Sequence, residues 1–285
     1  MRLGRVVFLA AATCMLAGAA AADDAVLRAA VASPDRTARS VARDQYCHPY
    51  DTLSFWGVKP HQNVLEIIPV GGYWAEILGP YTKATGGTYT ATAPDLSSAN
   101  EQAKKNDAAF RARFADESKY GKIRWQTWNN KGGAPLGPPA SVDLVINSRY
   151  VHIWLTNPGE YEAVLKDIYA VLKPGGILAI EDHRADPRAQ IPNAQDAYVS
   201  TAVVVDSAQK AGFKLEDSSE INANPKDTKD YTFGQWTLPP NLARKPPSFM
   251  VSWPGRPADD TLKSVEFYQA IGESDRMTLR FRKPR

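Results

Sequence analysis

The sequence contains little cysteine, which limits the covalent and metal chemistry open to it. Cys14 and Cys47 are the two cysteines among 285 residues, and Cys14 lies in a leader segment described below. The remaining thiol cannot form an internal disulfide, and the lack of a CxxC motif excludes a zinc knuckle or a thioredoxin-type site. We interpret Cys47 as a partly buried free thiol, with a nucleophilic role beside His48 as the alternative.

The sequence also lacks a charge of one dominant sign. Lysine and arginine number 34 against 31 aspartates and glutamates, which leaves a formal net charge of +3. This balance predicts no nucleic-acid partner. With 19 Gly, 21 Pro and 44% hydrophobic residues, the composition is that of an ordinary globular chain, and it excludes the collagen-like, coiled-coil and disordered classes.

Long hydrophobic runs are missing as well. The most apolar stretch, residues 6–17, is shorter than the roughly 20 residues that a membrane span needs. Two arginines precede it and three alanines follow at 20–22, which predicts a secretory signal peptide over residues 1–22. We expect the mature chain to begin at Asp23, to lack a transmembrane segment, and to be periplasmic or secreted. A membrane anchor is the alternative.

Residues 23–61 carry helical patterns and no strand pattern. Ala, Val and Leu recur at helical spacing over 24–43, and residues 51–56 fit a further short helix ending at Gly57. The sequence therefore predicts an N-terminal helical cap over 23–61, placed on the domain that follows.

From residue 62 to residue 285, strand-like and helical patterns alternate. This alternation predicts an α/β domain with a parallel sheet covered by helices on both faces. The last strand follows another strand without a clear helix between them, which favours an antiparallel final strand. The longest helical pattern spans 99–118, and the predicted strands are 63–69, 88–93, 123–128, 142–147, 177–181, 213–221 and 276–282.

Residues 222–272 form a proline-rich insertion within this domain. They hold seven of the 21 prolines, together with Trp236 and Trp253. Long irregular insertions in compact domains are usually functional loops or disordered segments. Because of the tryptophans we expect an ordered loop, and we expect residues 222–240 to fold over the carboxyl end of the sheet.

Three segments carry a family resemblance. Asn63–Gly72 (NVLEIIPVGG) is a strand with an acidic residue and a glycine turn, Val142–Asn147 (VDLVIN) is a buried strand, and Leu172–Asp182 (LKPGGILAIED) is a turn and a strand. In this order they resemble class I S-adenosylmethionine-dependent methyltransferases, for which the LKPGG turn is the most characteristic. The resemblance implies a Rossmann-like fold with seven strands, mostly parallel with an antiparallel last strand, and S-adenosyl-L-methionine as the cofactor.

A narrower resemblance covers roughly residues 40 to 284. The chain looks like a bacterial group of exported methyltransferases that shares several further segments. These are RDQY at 43–46 with His48-Pro49, DHR at 182–184, EINANPKDTKD at 220–230 and GESDRM at 272–277.

The resemblance also implies which residues bind the cofactor. Glu66, at the end of the first strand, would receive the ammonium of the methionine part, and Asp95, after the second strand, would accept the ribose hydroxyls. Cofactors of this architecture lie over the carboxyl ends of parallel strands, where glycine lets the backbone approach closely. The remaining implied contacts are Gly71 and Gly72 in the turn and Asn147 and Ser148 after the fourth strand.

The glycine turn departs from the family pattern, which has glycine at the second, fourth and sixth positions after the acidic residue. Those positions here are Ile68, Val70 and Gly72. A β-branched residue such as Val70 resists a positive φ and adds bulk toward the ligand, so Val70→Gly is expected to tighten cofactor binding. The alternative function is therefore a non-catalytic periplasmic ligand-binding protein that retains the fold.

Titratable residues follow the fourth and fifth strands, at the edge where ligands bind. His152 follows the fourth, and Asp182 and His183 follow the fifth; they are candidates for a general base or a substrate-orienting group. A metal site is the other interpretation, but no short ligand spacing such as HExxH occurs, and we predict no metal. A hydrolase using Asp182 and His183 is a further alternative, although no GxSxG motif is present.

We expect the methyl acceptor to contact residues from the cap, from the segment after the fourth strand and from the insertion. The candidate substrate-binding residues are His48, Trp154, Asn222, Asn224, Asp227 and Trp236. The sequence thus predicts a methyltransferase that acts on a small or lipid-like acceptor in the periplasm. Such an enzyme would need a supply of cofactor outside the cytoplasm. The oligomeric state is not predicted.

Overall fold

The computed structural model describes residues 24–187, 190, 195–246 and 262–285. The predicted signal peptide and residues 247–261 of the insertion lie outside this range. A seven-stranded sheet in the order β3-β2-β1-β4-β5-β7-β6 forms its centre. The strands are β1 (Asn63–Ile67), β2 (Thr88–Pro94), β3 (Arg124–Trp128), β4 (Val142–Ser148), β5 (Leu172–His183), β6 (Lys214–Ser219) and β7 (Arg276–Arg282).

The strand directions confirm the predicted sheet. Strands β1 to β5 pair in parallel, whereas β7 is antiparallel to both β5 and β6. The strand order reverses between β1 and β4, and ligands of open α/β sheets bind beyond the carboxyl ends of the strands at such a point. Glu66 in β1 and Ser148 in β4 therefore mark the region where a site is expected.

Helices and short 3₁₀ turns cover both faces of the sheet. The helices are α1 (Ala25–Val31), α2 (Ala38–Val41), α3 (Asp44–Cys47), α4 (Pro49–Trp56), α5 (Ala75–Thr85), α6 (Glu101–Ala112), α7 (Glu117–Tyr120), α8 (Val151–Trp154), α9 (Glu160–Val171), α10 (Thr201–Lys210) and α11 (Val265–Ile271). The 3₁₀ turns are Val70–Gly72 and Gly234–Thr237.

Side chains of β4 contribute alternately to two apolar cores. Leu144 and Ile146 pack on the face that carries α1, α4 and α5, while Val145 packs on the face that carries α9 and α10. This alternation follows from the period of two along a strand. Because both faces are covered, the central strands are almost wholly apolar.

The helices before β1 pack directly on the sheet layer. Leu27 of α1 and Trp56 of α4 are buried in the same core as α5. The Tyr81 hydroxyl of α5 donates to Asp24 Oδ2 at 2.6 Å, next to the start of α1. The N-terminal helices therefore share the core of the domain, and they reach the carboxyl edge of the sheet.

Two elements differ from the predicted boundaries. The predicted helix over 99–118 is interrupted after α6, and α7 begins anew where the Asp116 side chain accepts from Ser118 N at 3.0 Å. Strand β5 begins at Leu172, five residues before the predicted strand, because a register shift between Val142 and Leu144 absorbs the turn residues. A bulge of this kind lets a strand continue past unpaired residues.

Among the described residues, we find no helix with the length and apolar character that crossing a membrane requires.

Candidate active site

A cavity of about 360 Å³ lies beyond the carboxyl ends of β1, β4 and β5. We call it the main cavity. Its walls come from the residues around α2, the turn after β1, the residues after β4, the end of β5 and the segment 235–241. The main cavity therefore lies where the strand order reverses, as expected for this architecture.

His152 and Asp182 form a buried pair on the wall of the main cavity. Asp182 is fully buried, and its Oδ1 lies 2.9 Å from His152 Nδ1. The same carboxylate accepts from the backbone N–H groups of His152 at 3.2 Å and His183 at 2.7 Å. With Nδ1–H donating to Asp182, Nε2 of His152 is the ring nitrogen left to accept a proton.

His183 lies beside this pair and has a different environment. Its ring centroid is 5.1 Å from that of His152, and its Nδ1 hydrogen-bonds with Ser274 Oγ. Burial, and then electrostatic interactions with the neighbouring His152 and Arg149, lower the pKa of His183 well below its ordinary value. The ring is therefore neutral near pH 7 and can act as a hydrogen-bonding group toward the main cavity.

His152, Asp182 and His183 also place one ligand atom each within 4.8 Å of one another. Such a cluster has the composition of a two-histidine, one-carboxylate metal site. However, Asp182 Oδ1 already accepts two hydrogen bonds from nitrogen atoms, as described above. These bonds orient His152 as in an acid–base pair.

The turn after β1 has the backbone shape of a glycine-rich turn. Ile68 has a φ of 52°, and Gly71 and Gly72 have φ values of 66° and 77°. A positive φ is unusual for a β-branched residue; here Thr92 Oγ1 accepts from Ile68 N at 2.7 Å and holds the turn. The positive φ thus falls at Ile68, whereas Val70 begins a 3₁₀ turn and is not among the described residues with a positive φ. The expected backbone conflict at Val70 is absent, although Val70 does line the main cavity.

A second cavity of about 180 Å³ adjoins the turn on the side of β2 and β3. Phe110 and Trp125 supply aromatic surface, and Ile68, Pro94 and Asn130 complete much of its wall. A mostly apolar space lined by two aromatic rings beside a tight turn fits the base of a nucleoside. We call it the nucleoside cavity, and on this side the residues present fit S-adenosylmethionine.

Asp95 lies after β2, as predicted, but it is exposed and does not line the nucleoside cavity. Its Oδ1 accepts from Ser97 N at 2.9 Å, and this bond lowers the pKa of Asp95 below its ordinary value.

Glu66 occupies a more enclosed position. It is 2% exposed, and the Tyr89 hydroxyl donates to its carboxylate. Burial raises the pKa of Glu66 to about 7, against the opposing effects of Tyr89 and Arg149. Glu66 lines a small space of about 10 Å³ that also contacts Arg149 and Ser148. It therefore lies next to the main cavity rather than on its wall.

The two predicted residues at the end of β4 differ in surroundings. Ser148 Oγ donates to Glu181 Oε2 at 2.7 Å. Asn147 is fully buried, and its amide nitrogen and oxygen have no hydrogen-bond partner among the residues that the structure describes. Neither residue lines the main or the nucleoside cavity.

The structure places one of the predicted substrate-binding residues at the main cavity, three at another cavity and two in the interior of the protein. Trp236 lines the main cavity, and its ring packs edge-on to His152 with centroids 5.5 Å apart. His48, Asn222 and Asn224 line a different cavity of about 250 Å³. Trp154 is fully buried in the core, where it stacks on Tyr161 and donates from Nε1 to Asn130 O at 2.7 Å.

Asp227, the remaining predicted contact, is buried inside the protein. The Tyr198 hydroxyl donates to Asp227 Oδ1 at 2.9 Å, and Asp275 N donates to Oδ2 at 2.7 Å. These bonds tie the start of the insertion to the segment before β7. The part of the insertion that reaches the main cavity is therefore 235–241, not the asparagine-rich stretch.

Four arginines line the main cavity and were not among the predicted site residues. They are Arg39, Arg43, Arg113 and Arg149. The position of Arg149 directly after β4 is the sequence signal that could have indicated its place. Arg43 belongs to the segment shared with the narrower family group, but nothing in its spacing shows where its side chain lies.

The comparisons with known proteins support the fold. No protein-family model and no curated protein sequence matches the chain. Among solved structures, it resembles a protein described as a sarcosine dimethylglycine methyltransferase from Galdieria sulphuraria, with 14% identity, 86% of each chain covered and a TM-score of 0.51.

Two further solved structures are similar at lower TM-scores. A SAM-dependent methyltransferase from Aquifex aeolicus shares 18% identity over 64% of this chain and 87% of its own, with a TM-score of 0.48. The 1,6-didemethyltoxoflavin-N1-methyltransferase of Burkholderia thailandensis was solved with 1,6-didemethyltoxoflavin and S-adenosylhomocysteine. It shares 16% sequence identity over 92% of this chain and 80% of its own, with a TM-score of 0.44. The strand order and the likeness to the Galdieria sulphuraria structure show that the chain has the Rossmann-like fold of class I methyltransferases. At 14% identity this likeness shows the fold alone.

Proposed function

We propose that the protein is an S-adenosylmethionine-dependent methyltransferase that acts on a small acceptor. The observation that carries this proposal is the buried Asp182–His152 pair on the wall of a cavity adjoining the turn after β1. The fold alone would leave the activity open. The pair adds a group able to take a proton from an acceptor, next to a place that fits a nucleoside.

When bound, S-adenosylmethionine supplies an electrophilic methyl group. The residues that would hold it are those of the turn 68–72 and the aromatic wall of the nucleoside cavity, formed by Phe110 and Trp125. Glu66, beside the main cavity, is the carboxylate that would attract an ammonium group at a pH where it is ionised. Asp95, which is exposed after β2, is the carboxylate that we propose for the ribose hydroxyls.

The chain's own residues provide positioning and proton transfer. His152 accepts the acceptor's proton at Nε2, and Asp182 holds the ring in the required orientation and stabilises the imidazolium that forms. A positioned base of this kind contributes about 10²–10⁴-fold to a rate. His183 offers a neutral hydrogen-bonding group, and Trp236 shields His152 from water on one side.

We further propose that the protein works outside the cytoplasm, after removal of residues 1–22, on a small or lipid-like acceptor. The apolar stretch and the alanines at 20–22 support this location. Mass spectrometry of the exported protein should show Asp23 as the first residue. An intact Met1 in a cytoplasmic fraction would contradict the location, and it would remove the need for an external supply of cofactor.

Calorimetric titration with S-adenosylhomocysteine tests the function directly. We expect the wild-type protein to bind, and we expect Glu66→Gln at pH 8 to weaken binding by roughly 1–3 kcal/mol, the scale of a lost charge-assisted hydrogen bond. Glu101→Gln makes the same chemical change at the exposed start of α6 and should leave the affinity unchanged.

Three outcomes would count against different parts of this proposal. Equal affinities of the wild-type protein and Glu66→Gln would refute the role of Glu66. If Val70→Gly also leaves the affinity unchanged, Val70 does not obstruct the site. A folded wild-type protein that binds neither S-adenosylmethionine nor S-adenosylhomocysteine would refute the enzyme and would favour a ligand-binding protein that retains the fold.

A further inference from the structure

The main cavity carries an excess of positive charge. No carboxylate lies on its wall as the structure describes it, whereas four arginines do. An excess of one sign in a cleft with low-dielectric walls concentrates ligands of the opposite sign. The charge available to a ligand depends on which of these arginines already pair with carboxylates of the protein.

Two of the four have carboxylate partners. Arg43 forms a two-pronged ion pair with the buried Glu273, with Nη2 at 2.8 Å from Oε2. Arg113 donates from Nη2 to the buried Glu76 at 2.9 Å and from Nη1 to Gly71 O at 3.1 Å. These two side chains shape the wall without adding net charge.

The other two arginines lack such partners. Within the described ranges, no carboxylate oxygen lies within 4.0 Å of the guanidinium of Arg149 or Arg39, and neither guanidinium makes a hydrogen bond. Arg149 is partly buried, and burial followed by the nearby charge of Arg43 lowers its pKa. Arg39 is exposed at the mouth of the cavity.

The nearest acidic groups do not remove this excess. Glu66 is bonded to the Tyr89 hydroxyl and titrates near pH 7. Glu181 is paired with the buried Arg276 at 2.9 Å, and Arg276 also contacts Glu273 at 3.1 Å. A partly buried cation without a partner is unfavourable, so a ligand that brings an anionic group to Arg149 would be favoured.

The proposed cofactor does not neutralise the main cavity as a whole. S-adenosylmethionine carries one carboxylate, one ammonium and one sulfonium at neutral pH, so that its binding adds one positive charge to the cavity. On the basis of the proposed function, we infer that the methyl acceptor is a small anion whose carboxylate or phosphate group binds Arg149, with Arg39 at the entrance. The planar guanidinium suits either group because both accept two parallel hydrogen bonds.

This geometry also places the acceptor against the base. Arg149 and His152 are three positions apart after β4, and both line the main cavity. Trp236 packs edge-on to His152 and also lines the main cavity, so that it adds apolar surface beside the base. An acceptor with an anionic group for Arg149 and a hydroxyl for His152 Nε2 would use both residues of this wall.

Titrations with simple probes at constant ionic strength test the inference. The probes are inorganic phosphate and benzoate, with benzamide as the neutral counterpart of benzoate. We expect benzoate to bind the wild-type protein at least tenfold more tightly than benzamide. Arg149→Gln should weaken the binding of phosphate and benzoate at least tenfold, and Arg39→Gln should weaken it two- to fivefold. Arg124→Gln, at the exposed end of β3, is the control and should change both affinities less than twofold.

The same titrations in saturating S-adenosylhomocysteine identify the source of the anion. If the anions still bind through Arg149, the site belongs to the acceptor, as inferred. If S-adenosylhomocysteine displaces them and itself loses affinity in Arg149→Gln, Arg149 holds the methionine carboxylate and the inference is wrong.

Two remaining outcomes are also decisive. Anion binding that is undetectable, or that is equal in the wild-type protein and in both Arg149→Gln and Arg39→Gln, overturns the inference. Because Arg39 is exposed, its variant tests the site even if Arg149→Gln fails to fold. Anion binding through Arg149 in a protein that does not bind S-adenosylhomocysteine would support the anion site while refuting the methyltransferase.

Discussion

Arg276 offers the sharpest test of how the N-terminal helices are held against the sheet. Its side chain is 1% exposed and lines the cavity of about 250 Å³ that His48 and Asn222 also line. It pairs with Glu181 at 2.9 Å and Glu273 at 3.1 Å, and it donates from Nη2 to Tyr46 O at 2.5 Å. Arg276→Met keeps much of the volume but leaves two buried carboxylates without this cation.

Removing one partner of a buried ion pair costs about 3–5 kcal/mol, because the charge left behind is uncompensated. For a chain of this size, each kcal/mol corresponds to about 2 °C in melting temperature, so we expect a decrease of roughly 6–10 °C. Arg282→Met is the matched control on the same strand. Arg282 is 41% exposed and pairs with Glu216 at 2.7 Å, and an exposed pair contributes only about 0–1 kcal/mol.

Thermal unfolding followed by circular dichroism at pH 7.5 measures both variants. Adding Glu181→Gln to Arg276→Met should recover part of the loss, because it removes one of the stranded charges. The reasoning is refuted if Arg276→Met melts no lower than Arg282→Met, or if the added Glu181→Gln brings no recovery.

Two further predictions concern the turn and the acidic residue at the end of β1. Gly72→Ala should melt at a lower temperature than Gly71→Ala. Both glycines have a positive φ, so that an added Cβ costs roughly 1–2 kcal/mol at either position. In addition, the Cβ at Gly72 would lie 2.5 Å from Phe114 Cζ, whereas the Cβ at Gly71 would contact nothing within 4 Å. Equal melting temperatures would contradict this. Because burial raises the pKa of Glu66 from 4.5 to about 7, its stabilising contribution is present below pH 4.5 and is lost as the pH rises to 7. We therefore expect the free energy of unfolding of Glu66→Gln, measured in urea, to rise relative to that of the wild-type protein by roughly 3 kcal/mol between pH 4.5 and 8, at about 1.4 kcal/mol per pKa unit. A difference between the two proteins that does not depend on pH would contradict the raised pKa of Glu66.

The sheet was predictable because its information is local. The apolar runs of β1, β4 and β5, separated by helical patterns, are legible in the order of residues, and parallel strands connected by helices bring their carboxyl ends to one edge. The same rule places His152 and Asp182 at that edge, because each follows or ends a neighbouring strand. In the structure His152 Nδ1 and Asp182 Oδ1 lie 2.9 Å apart.

The division of the site into separate cavities could not be predicted from the sequence in this way. His48, Asn222 and Trp236 all reach the carboxyl side of the sheet, but the first two line one cavity and Trp236 lines another. Which wall each side chain joins depends on how the insertion packs on the segment before β7, where Asp227 accepts from Asp275 N. No periodicity encodes a contact between segments 48 residues apart.

The charge of the main cavity is the clearest example of what tertiary structure alone decides. The sequence by itself determined a near-neutral chain with 34 basic and 31 acidic residues, and it determined the strands at whose ends ligands bind. Folding then paired Arg43 with Glu273, 230 residues away, and left Arg149 without a carboxylate partner among the described residues. Net charge is a sum over composition, whereas the field in a cavity depends on which charges the packed backbone brings within hydrogen-bonding distance.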